Sequence, residues 1–233
     1  MSNSSGAKAR REEEIAFLAM EQILGVDIRL ADAGAGDKMP DGSWVMPDGQ
    51  GRGIVEVTSP PATKLMADWA RAKKEGRPQT ESGSVPLRMN ELAAVCTELL
   101  ETSWALENIR KLQNQHANER HLFLFARGHD VGHYFYRLSD SYGDRSAETV
   151  EDLVLPDGIS DVWFRGRASR EPDRPLGAAQ VRLARFQAGV GWQCHVVDIE
   201  ERDLPSPASG IVADHVPADM RHPQNRSPHR SQR

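Results

Sequence analysis

Apolar positions change their period several times along this chain, and each change marks an element. Ile15, Leu18, Ala19 and Ile23, with Gln22 among them, follow the three-and-four spacing of a core-facing helical stripe that begins near Arg11. Gly25 sits where a helix of that pattern stops. The period then shortens to two. VDIRLAD (26–32) alternates like a strand, AGAGDKMPDG (33–42) reads as a loop, SWVMP (43–47) as a short strand and PDGQGRG (47–53) as a turn. IVEVTS (54–59) is the next strand, and the Asp-Gly pairs between predict a hairpin.

Helical spacing returns after PPATK. Residues 62–75, 88–101 and 103–117 read as helices, with EGRPQTESGSVP (75–86) as a loop. HLFLFA (121–126) is a strand, and HYFYRL (133–138) is expected to pair with it across RGHDVG. Strands follow at ISDVWFRG (159–166), VRLARF (181–186) and WQCHVVDI (192–199). Residues 1–10, small and polar, and the Pro-, Ser-, His- and Arg-rich tail 204–233 are read as disordered. The order helix, strands, helices, strands predicts one α/β (α+β) domain over 11–203, with a mixed central sheet flanked by helices.

Composition narrows the functional classes. The chain has 233 residues, 39% apolar and 27% charged, enough for one sizeable core. No apolar run is long enough to span a bilayer, and the N-terminus has no secretory h-region. Two cysteines, Cys96 and Cys194, far apart in sequence, exclude a disulfide framework and fit a reducing cytoplasm. The net charge is −5, yet 220–233 holds four arginines and no acid, and Lys8, Arg10 and Arg11 lie near the start. The body is therefore more acidic than the total, which argues against a protein that coats nucleic acid broadly.

One residue breaks the apolar logic of its strand. In IVEVTS, Glu56 shares a face with Ile54 and Thr58, and a carboxylate there is costly unless it is paired or binds a cation. The hairpin would bring Asp41, at the start of the preceding strand, to the same end of the sheet. Two carboxylates together form an oxygen-rich site suited to Mg²⁺.

Pro40-Asp41, followed on the next strand by Glu56-Val57-Thr58, resembles the signature of the PD-(D/E)XK nuclease superfamily, the restriction-endonuclease-like fold. Glu14 lies on the preceding helix, where that family often carries a further acidic residue, and the element order over 11–127 is similar to the family core. The resemblance implies a metal-dependent phosphodiester hydrolase acting on DNA or RNA. In it Mg²⁺ or Mn²⁺ would be held by Glu14, Asp41, Glu56 and the Val57 carbonyl. Residues 128–203 would be a β-rich extension that adds C-terminal strands.

Thr58 stands where the family places lysine. A hydroxyl offers a hydrogen bond without charge; the resemblance implies either another residue type at this place or a lysine taken from a neighbouring helix, with Lys111 the first candidate and Lys64 the second. Gln113 and Gln115 are further candidates to orient a water or phosphate. Lys64, Arg71, Lys73 and Lys74, just after the glutamate-bearing strand, read either as contacts to a phosphate backbone or as a solvated helix face. His129, Asp130 and His133 also cluster, but they read as turn residues between two strands, not as metal ligands. The competing reading is a non-catalytic binding or assembly module built on this fold or on an unrelated α/β fold. The two differ in whether the acids and a lysine converge.

Overall fold

The opening three-and-four stripe forms α1 (Ser4–Leu24), and the alternating segments form β1 (Arg29–Leu30), β2 (Gly42–Val45) and β3 (Arg52–Thr58). The computed structural model describes residues 4–31, 39–78, 88–141, 150–166, 178–200 and 203–204. After β3 come α2 (Thr63–Lys74), a 3₁₀ turn (Met89–Glu91), α3 (Leu92–Leu100) and α4 (Ser103–Gln113). They are followed by β4 (Glu119–Phe125), α5 (His129–Ser141), β5 (Asp161–Arg165), β6 (Ala178–Gln187) and β7 (Gly191–Glu200).

All seven strands join one mixed sheet in chain order. The first three are antiparallel, and the β2–β3 hairpin pairs Gly42 with Val55 and Trp44 with Gly53. β3, β4 and β5 run parallel, which requires crossovers: α2 to α4 make the first and α5 the second. β6 and β7 return antiparallel. The fold is thus of the α/β (α+β) class.

Helices cover both faces. Ile54, Leu122, Leu124, Val162 and Phe164 pack against Leu100, Ile109, Leu112, Phe135 and Leu138 of the α3–α5 layer. Val55, Val57, Phe123, Phe125 and Trp163 pack against Ile15, Phe17 and Met20 of α1. Double-sided burial explains why HLFLF is apolar without alternation. Each large side chain buried in this way contributes about 1.5–3 kcal/mol.

Four expectations are corrected. The segment 133–138, expected as a strand, lies inside α5. Its apolar positions with Val131 included (Val131, Tyr134, Phe135, Leu138) have helical spacing and pack on one core, which outweighs the strand propensity of its aromatics. His129, Asp130 and His133 are accordingly in a helix, not in a hairpin turn. Residues 4–10, expected to be disordered, extend α1, since Ala7, Lys8, Ala9 and Arg10 are strong helix formers. Leu204, placed at the start of the disordered tail, is buried in the core on the α1 face; the rest of the tail, 205–233, lies outside the described residues. Among the described residues no helix is long and apolar enough to cross a membrane.

Candidate active site

The end of a strand ladder creates the site. β2 starts at Gly42, which pairs with Val55, so Asp41 lies opposite Glu56 just beyond the ladder. There the Val57 N–H donates to Asp41 Oδ2 at 2.7 Å. On the other side, the Ala31 N–H donates to the Asp41 main-chain oxygen at 3.0 Å. The aspartate is thereby fixed at both its backbone and its side chain, beside the strand that carries the glutamate.

Glu56 itself projects into the layer occupied by α4, on the same face as Ile54, and is only 5% exposed. Lys111, in the last turn of α4, answers it. Its Nζ lies 2.9 Å from each carboxylate oxygen and donates a hydrogen bond to Oε1. The first-choice lysine from sequence is therefore the one that reaches the glutamate. Lys64 is exposed on α2. Thr58 follows on the same face of β3 and is half-buried.

The electrostatics of Glu56 are perturbed as a functional carboxyl's often are. Burial first, and then the charge of Asp41, push its pKa up from the ordinary carboxylate value to about 8, against the opposing pull of Lys111. Near neutral pH Glu56 is thus held largely in its protonated form, with the Lys111 ammonium against it. Such a site can hold a cation, store a proton or stabilise an incoming negative charge.

The remaining candidates are distributed around this core. Glu14 is buried on α1, in the layer against the opposite face of the sheet. Gln113 Nε2 donates to the Asp157 carbonyl at 2.7 Å, and the Gln115 carbonyl accepts from Arg120 at 2.8 Å, so both serve the end of α4. On α2, Lys64, Arg71, Lys73 and Lys74 are all exposed, and Ala72 is its buried residue. Among the described residues no three His, Cys, Asp or Glu side chains gather in a way that would hold a metal ion.

A second polar cluster was not legible in the sequence. Glu119 and His121 on β4, Asp161 on β5 and Arg185 on β6 meet on the α1 face, where Trp44 and Trp163 enclose the imidazole. His121 Nε2 lies 2.9 Å from Asp161 Oδ2 and 3.4 Å from Glu119 Oε2, while Nδ1 accepts from the Trp163 indole at 3.2 Å. Arg185 Nε donates to Asp161 Oδ1 at 2.7 Å, and the guanidinium stacks 4.7 Å from the Trp163 ring centroid. Burial would raise the Asp161 pKa, yet His121 and Arg185 outweigh it and hold it below the usual range. Only sheet register unites these residues, and no local motif announces them.

Comparison with protein-family models, with curated proteins and with solved structures finds no match to this chain.

Proposed function

We propose that the chain is a metal-dependent phosphodiester hydrolase of the restriction-endonuclease-like kind, acting on DNA or RNA in a reducing cytoplasm. The observation that carries the reading is the Lys111 ammonium at 2.9 Å from Glu56, with Asp41 opposite. The cation absent at Thr58 is supplied from a neighbouring helix. Element order supports it as well: a helix, three antiparallel strands, helices, and a strand parallel to the third. The two free cysteines fit the compartment.

The donor set suits a hard divalent ion, Mg²⁺ or Mn²⁺. Such an ion takes one or two carboxylates and keeps several waters, and the buried Glu56 beside the like charge of Asp41 would gain from a cation between them. Asp41, Glu56 and the Val57 carbonyl would hold it, while Glu14, the further acid that the resemblance implies, lies in the layer against the opposite face of the sheet. When bound, it would polarise a phosphoryl oxygen and acidify a water. Lys111 would steady negative charge developing on the phosphate, Thr58 would offer a hydroxyl to the attacking water, and Glu56 must surrender its proton first. Lys64, Arg71, Lys73 and Lys74 would follow the nucleic-acid backbone.

Calorimetric titration with Mn²⁺ tests the reading, with wild type beside Asp41→Ala and Glu56→Ala. Binding that both substitutions abolish, followed by cleavage of a DNA or RNA substrate, is the expected result. The competing reading, a non-catalytic binding module, is favoured by one observation: Lys111 already takes the place beside Glu56 that a metal cation would use. Folded wild type that neither binds Mn²⁺ nor cleaves with nucleic acid present would decide for it.

A further inference from the structure

We propose that Arg120 is a positioning residue for Lys111: its guanidinium clamps the last turn of α4 and so sets the ammonium on Glu56. The inference deepens the hydrolase reading and rests on it for its catalytic consequence. The geometric part stands on the contacts alone.

Lys111 occupies a weak place in its helix. It lies in the final turn of α4, where the last carbonyls have no intrahelical partner and the end is prone to fray. A lysine side chain is also long and mobile, so nothing intrinsic holds its Nζ to within 3 Å of a buried carboxylate. Arg120 removes the first freedom. Its Nε donates to the Leu112 carbonyl at 3.1 Å and its Nη2 to the Gln115 carbonyl at 2.8 Å. One planar fork thus joins the Leu112 carbonyl, which also accepts from the Gln115 N–H at 3.1 Å, to the Gln115 carbonyl beyond the helix end.

The anchor is itself fixed to the glutamate's strand. Arg120 pairs in register with Ile54, and Glu56 pairs with Leu122, so both partners of the clamp are read from the same parallel ladder. The Arg120 N–H donates to Ser160 Oγ at 3.0 Å, and its carbonyl accepts from the Ser160 N–H at 2.9 Å. A guanidinium rooted beside Glu56 therefore determines where the end of α4 sits over it. Lysine at this position would reach a single carbonyl and clamp less well.

The test reads the Lys111 ammonium itself. Its Nζ resonance and the exchange of its protons with water are followed by nitrogen-15 NMR in folded wild type, Arg120→Ala and Arg120→Lys. Held on Glu56, the ammonium exchanges slowly; released from the clamp in Arg120→Ala, it should exchange about tenfold faster or more. Arg120→Lys should fall between, and exposed Lys64 should exchange alike in all three. Lys111 exchange unchanged by Arg120→Ala, or changed equally at Lys64, overturns the proposal. If Arg120→Ala does not fold, Arg120→Lys carries the same comparison. Wild type that neither binds Mn²⁺ nor cleaves with nucleic acid present would remove the hydrolase reading, while the exchange rates would still judge Arg120.

Discussion

Lys111, at the end of α4, sets its ammonium 2.9 Å from both carboxylate oxygens of Glu56 in the middle of β3. The pair is nearly enclosed, with side chains 16% and 7% exposed, and Asp41 adds a like charge from the opposite strand. A carboxyl held protonated by burial and then by the charge of Asp41, against the pull of Lys111, has consequences that can be measured without a substrate.

The first concerns stability. Glu56 has its pKa raised from 4.5 to about 8 on folding, so its contribution is fully present below 4.5 and is lost as pH rises through 8. Glu56→Gln removes that dependence. Urea denaturation should show the variant gaining on wild type between pH 5 and pH 8, by about 2–4 kcal/mol at the upper end. Parallel stability curves for the two proteins over that range would mean that Glu56 is ionised throughout.

The same proton would govern the proposed cation binding. A divalent ion requires Glu56 as carboxylate, so Mn²⁺ affinity should rise from pH 6 to pH 8 and flatten above the Glu56 midpoint near 8. Calorimetry in two buffers of different ionisation enthalpy should show close to one proton released per ion at pH 7. Asp41→Asn, which keeps an acceptor for the Val57 N–H, should weaken binding without unfolding the strand end. Affinity independent of pH would place any bound ion elsewhere.

A third expectation concerns α2. Its exposed Lys73 and Lys74 would each neutralise about one phosphate, so Lys73→Ala with Lys74→Ala should lower the slope of log affinity against log salt by about 1.4–1.8. Filter binding of single- and double-stranded probes over a salt series reads this. An unaltered slope would leave α2 a solvated helix.

Much of this arrangement was legible because it is local. The hairpin came from its Asp-Gly turns, and Glu56 stood out as an acid among Ile54, Val55 and Val57. Lys111 could be chosen because it lies on the helix preceding the strand that must return beside β3. The strand expected at 133–138 failed because Tyr134, Phe135 and Tyr136 carry β propensity, while the buried positions obey helical spacing once Val131 is included. The His121–Asp161–Arg185 cluster had no sequence signal at all. Its members come from three strands and meet only through register.

Close packing beside that cluster gives a further prediction. Trp44 lies directly over Gly53 of the paired strand, and a Cβ there would overlap the indole. Gly53→Ala should destabilise the protein by about 1–3 kcal/mol, as overpacking does. A smaller residue at 44 should restore part of the loss in the double variant, read by thermal denaturation. Equal costs with and without the indole would point to the backbone at 53 instead.

Asp161 is the hinge of the second cluster, since both His121 and Arg185 turn to it at 1% exposure. Its pKa is lowered on folding from 3.8, so its stabilisation is present above that value and is lost as pH falls through the folded one. Asp161→Asn leaves the Arg185 guanidinium, stacked on Trp163 and 9% exposed in its side chain, without its carboxylate. Breaking a buried pair from one side costs about 3–5 kcal/mol. Denaturation at pH 7 should show a loss of that size, shrinking as wild type itself is titrated below pH 4. Asp161→Asn with Arg185→Met, which removes both charges, should recover much of it. A double variant no more stable than Asp161→Asn alone would show that the cost lies in the His121 contact, because the imidazole would then be the group left without its partner.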